Sequence, residues 1–428
     1  MKTKISFYTL GCRLNQSETS VMQNQFESHG YQVVDFYQPS DIVVVNTCTV
    51  TKHGDNDTRK IVHKIQRVNP QAQIALIGCQ AQTQKEILAE MPNVKWVVGN
   101  ARKMELPEII RDETASDHPV IVAPTIPRES FTIPAAGIDR QHTRANIKIQ
   151  DGCDSFCSFC EIPYARGRAR SREFDDILKE ARVLVDAGHK ELVITGINVG
   201  HYAYKGKGIV DVVSALDDVA GIERIRISSI EPTTIPDTLI QKMKTKTKLC
   251  RYLHIPMQSG HDDILQLMKR GYRIEDFLSL IQRIHSDVPE ICIGTDVIVG
   301  FPGETDEHFK TTYHHLKSAP INYFHVFSYS KRKMAKAKKL ADPVDPATIQ
   351  ERSHILRELR DRKRQAFYEL FSGTTQTVLF EQKKDGFWAG LTDNYIRVKT
   401  KSTQTLENQL VDVKLDNIEH NFISGTIV

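Results

Sequence analysis

Gln150-Asp151-Gly152-Cys153-Asp154-Ser155-Phe156-Cys157-Ser158-Phe159-Cys160-Glu161-Ile162-Pro163-Tyr164-Ala165-Arg166-Gly167-Arg168-Ala169-Arg170-Ser171-Arg172 is the stretch from which the rest of the chain is read. It sets three thiols, Cys153, Cys157 and Cys160, in one short loop. Thiolates are the usual ligands of iron-sulfur clusters, and a four-iron cluster takes four, so three leave one iron without a protein ligand and free to bind a substrate. A zinc loop or a set of unpaired buried thiols would also use cysteines. Zinc sites, however, pair Cys-x2-Cys or Cys/His ligands to a total of four.

The chain has 428 residues, room for about three domains of ordinary size. Its 40% apolar and 26% charged residues are those of a globular protein, and a net charge of +4 permits an anionic partner without demanding one. No apolar run approaches the roughly 20 residues of a membrane helix. The N-terminal run from Ile5 ends at Gly11-Cys12-Arg13, too early for a secretory leader. A cytoplasmic protein without a membrane partner is the expectation, and in that compartment eight cysteines point to metal ligands or buried thiols more than to disulfides.

Upstream of the loop, strand-like runs at Ile5 to Leu10, Asp41 to Asn46, Ile74 to Ile77 and Trp96 to Val98 alternate with helical patterns at Ser17 to His29, Asp57 to Val68 and Gln82 to Met91. That alternation predicts a doubly wound parallel α/β domain over residues 1–116. Leu10-Gly11-Cys12, Asn46-Thr47-Cys48 and Gly78-Cys79 each fall just past the carboxyl end of an expected strand, on the rim where such sheets bind ligands. Cys12, Cys48 and Cys79 are therefore expected to converge as a second three-thiol set, the alternative being small buried cysteines in separate places.

Residues 117–143, with Pro119, Pro124, Pro127 and Pro134 spaced through them, read as an extended linker. From Ala145 the β/α order resumes with strands at Ala145 to Gln150, Glu191 to Thr195, Arg224 to Ser228, Tyr252 to Pro256, Ile291 to Val299 and Ile321 to Tyr329. Six units are too few for a closed eight-unit barrel, so residues 144–371 are expected to form an open (β/α)6 partial barrel with its site at the strand carboxyl ends. Residues 372–428 alternate as five short strands, the pattern of a small antiparallel β-barrel. That last stretch sets six cations against seven carboxylates. Cys292, inside Ile291-Cys292-Ile293, reads as a core thiol, and the sixteen histidines show no ligand spacing.

The Cys-x3-Cys-x2-Cys loop, with Phe159 before its last cysteine, resembles the signature of the radical S-adenosylmethionine enzymes, in which that cofactor chelates the open iron. Leu10-Gly11-Cys12-Arg13-Leu14-Asn15-Gln16, Asn46-Thr47-Cys48-Thr49-Val50-Thr51 and Gly78-Cys79-Gln80-Ala81-Gln82 closely resemble the three cysteine motifs of the methylthiotransferases. Their form is most similar to that of the branch acting on N6-threonylcarbamoyladenosine at position 37 of transfer RNA. The resemblance spans nearly the whole chain. It implies two 4Fe-4S clusters and S-adenosylmethionine as cofactors, no catalytic side chain beyond the cluster ligands, and a last domain of the RNA-binding TRAM type. One cluster, on Cys153, Cys157 and Cys160, would generate the 5'-deoxyadenosyl radical. The other, on Cys12, Cys48 and Cys79, would present sulfur methylated by a second S-adenosylmethionine.

The same resemblance places the methionine end of S-adenosylmethionine at Gly196 and Asn198 in Thr195-Gly196-Ile197-Asn198, and strand-end position makes Glu231, Gln258 and Ser259, and Gly300 in Gly300-Phe301-Pro302-Gly303-Glu304 further candidate contacts. Strand-to-helix turns also use Gly and Asn for conformational reasons alone. Arg166, Arg168, Arg170 and Arg172 alternate, and in an extended segment they would share one side and meet RNA phosphates, or else pair with nearby acids. Lys331, Arg332, Lys333 and Lys336 open a run of six cations in nine residues, a second RNA candidate or a solvated face. There Met334-Ala335 stand where the family has Gly-Thr. The implied partners are a transfer RNA anticodon stem-loop, a low-potential electron donor of flavodoxin or ferredoxin type, and a sulfur donor. Rival readings are a sister enzyme acting on isopentenyladenosine 37 or on a ribosomal-protein aspartate, and a non-enzymatic iron-sulfur RNA-binding protein.

Overall fold

A computed structural model describes residues 2–49, 52–112, 118–134, 136–138, 142–245 and 247–428. Val50 and Thr51 of the second cysteine motif, and residues 117, 135 and 139–141 of the expected linker, lie outside them.

Strands β1 (Lys4–Thr9), β2 (Gln32–Val34), β3 (Ile42–Thr47), β4 (Gln73–Gly78), β5 (Val94–Gly99) and β6 (Val120–Val122) form a six-stranded sheet in the order β2-β1-β3-β4-β5-β6, parallel throughout. Its central strands are buried on both faces, so Val43 and Val45 join one core while Val44 joins the other. Helices α1 (Arg13–Ser28) and α2 (Lys52–Val68) cover the faces. The expected helix from Gln82 starts earlier and breaks at Gln84 into α3 (Cys79–Thr83) and α4 (Lys85–Ala89), and α5 (Leu106–Asp112) follows β5. Edge strands β2 and β6 are three residues each, too short for periodicity to register. The second corrects the reading of 117–143 as plain linker, because Val120–Val122 pairs along β5.

Strand β7 (Ala145–Lys148) begins the central unit. After a short antiparallel pair, β8 (Gln150–Asp151) with β9 (Arg170–Ser171), come β10 (Glu191–Thr195), β11 (Arg224–Ile227), β12 (Tyr252–His254), β13 (Cys292–Val299) and β14 (Tyr323–Ser328). β7-β10-β11 and β12-β13-β14 are parallel runs, and a parallel bridge from Ile225 to Leu249 spans the gap between them. Six strands in chain order make the open partial barrel that the unit count predicts. The long helix Pro346–Glu369, begun by Pro346 and capped by the Asp345 carboxylate, packs Leu356 and Leu359 onto the barrel core.

The last five strands, β15 (Thr375–Lys384), β16 (Phe387–Leu391), β17 (Arg397–Thr400), β18 (Leu410–Ile418) and β19 (Ile423–Ile427), close into a barrel in the order β15-β16-β17-β19-β18. One pair, β17 with β19, is parallel, which corrects the purely antiparallel expectation. An odd number of strands cannot close a ring with every neighbour antiparallel. Arg224 donates to the carbonyls of Leu391 and Thr377, and Arg226 to those of Thr392 and Asp393, seating this barrel on the central unit. Cys250 and Cys292 are buried in the apolar core between the two.

Candidate active site

The local cysteine loop hangs from the β8–β9 pair. Gly152 opens it at φ +70, where a Cβ would stand 2.0 Å from the Arg168 carbonyl oxygen, so only glycine fits. The chain then passes Cys153, Cys157 and Cys160 and enters the short helix α6 (Ile162–Arg166). Each thiol sulfur accepts a hydrogen bond: from Ser155 N at 3.5 Å, from Arg270 Nη1 at 3.3 Å and from Ile162 N at 3.4 Å, respectively. Burial pushes Cys157 above the ordinary thiol range against the opposing pull of Arg270, and burial together with the neighbouring Cys157 pushes Cys160 up as well. Three sulfurs in one short loop, each accepting from an N–H donor, fit an iron-sulfur cluster, whose positive irons take up the thiolate charge.

The second set is assembled by topology. Cys12 caps α1 beyond β1, Cys48 follows β3 and Cys79 opens α3 beyond β4, and these three strands are neighbours in the sheet. Gly11, at φ +93, lets the backbone pass so close to Cys48 that a Cβ would lie 2.8 Å from its sulfur. Asn15 Nδ2 donates to Leu10 O and Thr47 O, which fixes the spacing of the strand ends. Asn100 Nδ2 donates to Cys79 Sγ at 3.5 Å and to Ala165 O at 2.7 Å, tying this set to α6 at the end of the local loop. This rim fits a second cluster held by three thiolates.

Between the two sets lies a buried charge network. Glu18, fully buried on α1, pairs with Arg166 at 2.9 Å, with Lys148 at 2.7 Å and with Lys103; Asp151 pairs with Lys148, Arg166 and Arg170. Burial alone would raise Glu18, but Arg166, Lys103 and Lys148 hold it well below the carboxylate range. Burial in turn pushes Lys103 down to about 8, against the pull of Glu18. Arg172 is equally buried, on Asp176 and Glu180. The expectation of four guanidiniums on one open side is therefore corrected. Arg166 ends a helix and the chain turns at Gly167, φ +76, so alternation stops meaning a shared face. Among the four, Arg168 is exposed, beside Asp154 and over the Phe156 ring.

The basic run divides in the same way. Arg332 is buried on Asp55 and Glu161 and donates to Thr49 Oγ1, whereas Lys331, Lys333, Lys336 and Lys339 are exposed. Met334 N donates to Glu161 and Ala337 N to Ser158 O, so the segment with the unusual Met334-Ala335 is clamped onto the cysteine loop.

Of the residues expected near S-adenosylmethionine, Gly196 turns against Gln150, whose Oε1 accepts from Ile197 N and Asn198 N while its Nε2 donates to Asp151 O and Gly152 O. One side chain thus joins this turn to the cysteine loop. Asn198 Oδ1 accepts from Gly200 N and Thr234 Oγ1, and its buried Nδ2 has no partner among the described residues. Glu231 pairs with Arg270, the same guanidinium that reaches Cys157. Gln258 holds φ +68 and bridges to Val297, and Ser259 is buried and accepts from His261 N. Gly300, at φ +76, faces Ile349 of the long helix, which accounts for its glycine by packing.

A cavity of about 680 Å3 opens between the units, with Cys12 and Arg13 on one wall, Gly196 and His254 on the barrel rim, and Tyr395 reaching in from the C-terminal barrel. Tyr395 holds φ +69 and stacks on Tyr252 at 4.4 Å between ring centroids. Histidines without ligand spacing in sequence are gathered here: His254 bonds Ser229 Oγ through Nδ1 and lies 3.2 Å from Asp296, beside His325. Arg270, Gln150 and Asn100, the residues that tie the site together, carry no local sequence signal.

The model of the radical SAM superfamily matches residues 147–316, and that of uncharacterized protein family UPF0004 matches residues 4–99. The chain is 37% identical over 436 residues to the threonylcarbamoyladenosine tRNA methylthiotransferase MtaB of Bacillus subtilis, covering 99% of this chain and 96% of that protein. The protein of that name from Aquifex aeolicus is 38% identical over 92% of this chain and 96% of its own length. The tRNA-2-methylthio-N(6)-dimethylallyladenosine synthase of Acetivibrio thermocellus is 31% identical over 98% of this chain and 90% of its own. Among solved structures, the radical S-adenosylmethionine methyltransferase TsrM of Kitasatospora setae superposes with a TM-score of 0.57 at 17% identity, over 77% of this chain and 75% of that one, a likeness of fold.

Proposed function

Because the chain belongs to the methylthiotransferase family of radical S-adenosylmethionine enzymes, we propose that it replaces the C2 hydrogen of N6-threonylcarbamoyladenosine 37 in transfer RNA with a methylthio group. The observation that carries the reading is the joining of two three-thiol sets through α6: Cys153, Cys157 and Cys160 lead into it, and Asn100 ties Cys79 to its Ala165 carbonyl. The higher identity to relatives named for threonylcarbamoyladenosine than to one named for dimethylallyladenosine supports the substrate.

Cys153, Cys157 and Cys160 would hold one 4Fe-4S cluster, and Cys12, Cys48 and Cys79 the other. When bound, these clusters and S-adenosylmethionine would supply the radical and present the methylated sulfur that an unreactive aromatic C–H demands. The protein's part is positioning. Gln150 locks the Gly196–Asn198 turn, where S-adenosylmethionine is proposed to lie, to the cysteine loop; Arg270 fixes Glu231 and donates to the Cys157 sulfur; the Glu18–Arg166 network sets one thiol set against the other. Asn198, Glu231, Gln258, Ser259 and Gly300 complete the proposed cofactor rim. Tyr252 and Tyr395 offer stacked rings to a base.

The closed five-stranded barrel is assigned to RNA binding of the TRAM kind. Arg168, Lys331, Lys333 and Lys336 are the exposed cations proposed for phosphates of the anticodon stem-loop. A low-potential flavodoxin or ferredoxin would supply electrons and a separate donor the sulfur. No described helix is long and apolar enough to cross a membrane, and the cytoplasm, where transfer RNA is modified, is the proposed location. Mass spectrometry of transfer RNA nucleosides with and without the gene tests the reading. Deletion should remove 2-methylthio-N6-threonylcarbamoyladenosine and leave its precursor. Loss of the methylthio form of isopentenyladenosine instead would assign the chain to the sister activity.

A further inference from the structure

The cavity of about 680 Å3 has a charge character that sequence reading does not reveal. Two arginines and three histidines line it, and none of its described lining residues is acidic. Arg13, immediately after Cys12, is half-buried in its wall and forms no hydrogen bond or ion pair with any described residue. Arg144, also in the cavity lining, is held through Nε by Glu381 of the C-terminal barrel. Its Nη1 is buried and has no partner among the described residues. A buried guanidinium nitrogen without a partner costs free energy unless a ligand completes it. A half-buried Arg13 without a described partner and an Arg144 with one buried, unpartnered nitrogen line a cavity whose described walls carry no acid, and beside the stacked rings of Tyr252 and Tyr395 they make a place for an aromatic ring that carries an anion.

We infer that Arg13 and Arg144 form a carboxylate subsite that takes the threonine carboxylate on N6 of the substrate adenine and so sets the substrate branch. This rests on the proposed threonylcarbamoyladenosine reading, since an isopentenyl group has no charge to offer. Arg13 stands on the Cys12 side of the cavity, so the carboxylate it holds would bring the adenine toward the thiol set proposed to deliver sulfur. The methionine end of S-adenosylmethionine also carries a carboxylate. Geometry favours the RNA, because Arg13 is beside Cys12, whereas Arg270 is the guanidinium at the loop of Cys153, Cys157 and Cys160.

The test uses anaerobically reconstituted full-length enzyme and two anticodon stem-loops, one with N6-threonylcarbamoyladenosine 37 and one with its carboxylate converted to the neutral amide. Fluorescence anisotropy gives both affinities on one preparation, so differences in iron loading cancel from their ratio. Wild-type enzyme should prefer the acid by about 10- to 100-fold, the worth of a charge-assisted hydrogen bond, and R13Q should abolish most of that preference. R13K, which keeps the charge without the fork, should retain part of it. Affinity for S-adenosylmethionine alone should be the same in R13Q and wild type. An unchanged acid-to-amide ratio in R13Q overturns the subsite, and a loss of S-adenosylmethionine affinity by the same factor reassigns the carboxylate to the cofactor. A wild-type enzyme that fails to methylthiolate the acid stem-loop at all would instead overturn the substrate reading on which the subsite stands.

Discussion

The two thiol sets present the same three sulfurs by opposite means. Cys153, Cys157 and Cys160 share one loop, closed at its base by β8 and β9 and turned by Gly152. Cys12, Cys48 and Cys79 come from three strand ends and meet because β1, β3 and β4 are neighbours in one sheet. A local set depends on the conformation of a short segment. A dispersed one depends on a sheet, on the packing of α1, and on the charges that join the first unit to the second. The two should therefore fail separately.

The largest effect should come from removing each set. Changing Cys153, Cys157 and Cys160 together to Ala should lower reconstituted iron from about eight to about four per chain and abolish 5'-deoxyadenosine formation. The same change at Cys12, Cys48 and Cys79 should halve iron too, while sparing 5'-deoxyadenosine and ending methylthio transfer. Loss of both activities in a folded second variant would deny the sets separate roles.

Next comes Glu18→Gln, which leaves Arg166, Lys103 and Lys148 buried without their shared carboxylate. Such a loss costs about 3–5 kcal/mol. Calorimetry should show the lowered stability, and iron analysis should show the dispersed set depleted before the local one. Acid should act through the same carboxylates. Glu18 and Asp151 sit below their ordinary 4.5 and 3.8, so they contribute stability that is complete above about pH 4.5. It is lost as pH falls through their lowered pKa values. Melting temperatures from pH 7 to 3 should fall less steeply in the Gln variant, and parallel curves would remove the network from the explanation.

Smaller still, Gly11→Ala and Gly152→Ala each force a side chain onto left-handed backbone, at roughly 1–3 kcal/mol. The first crowds Cys48 and should deplete the dispersed cluster, the second crowds Arg168 and should deplete the local one, and electron paramagnetic resonance of the reduced proteins can tell which signal goes. The mildest change is in RNA binding. Gln at Lys331, Lys333, Lys336, Lys338 and Lys339, with Arg332 left in its buried pairs, should flatten log affinity against log salt by a few units, about 0.7–0.9 for each phosphate no longer neutralised. A slope untouched by all five would make this segment, clamped onto the local loop, a solvated face.

The legible parts of this chain were those whose cause is nearby. β-branched runs such as Ile42–Thr47 announced buried parallel strands, and the loop cysteines announced their set by contiguity. Strand-end placement brought Cys12, Cys48 and Cys79 within the reading, since parallel neighbours bring their ends to one rim. Arg166 to Arg172 misled because alternation marks a common face only along unbroken strand, and Gly167 breaks it. Arg270 reaches Cys157 from a distant turn, so nothing beside either residue signals that they meet.

Sequence by itself determined the order of the main β and α units, the two thiol sets and the family, because these follow from side-chain periodicity and motif spacing over a few residues. Tertiary structure alone decided which charges are buried and which face a cavity or solvent. Glu18 meets Lys148 and Arg166, and Arg332 meets Glu161 and Thr49, across chain separations of more than a hundred residues. Whether a guanidinium braces a protein or binds an anion depends on the acids and the solvent around it, and those are set only when distant elements pack together.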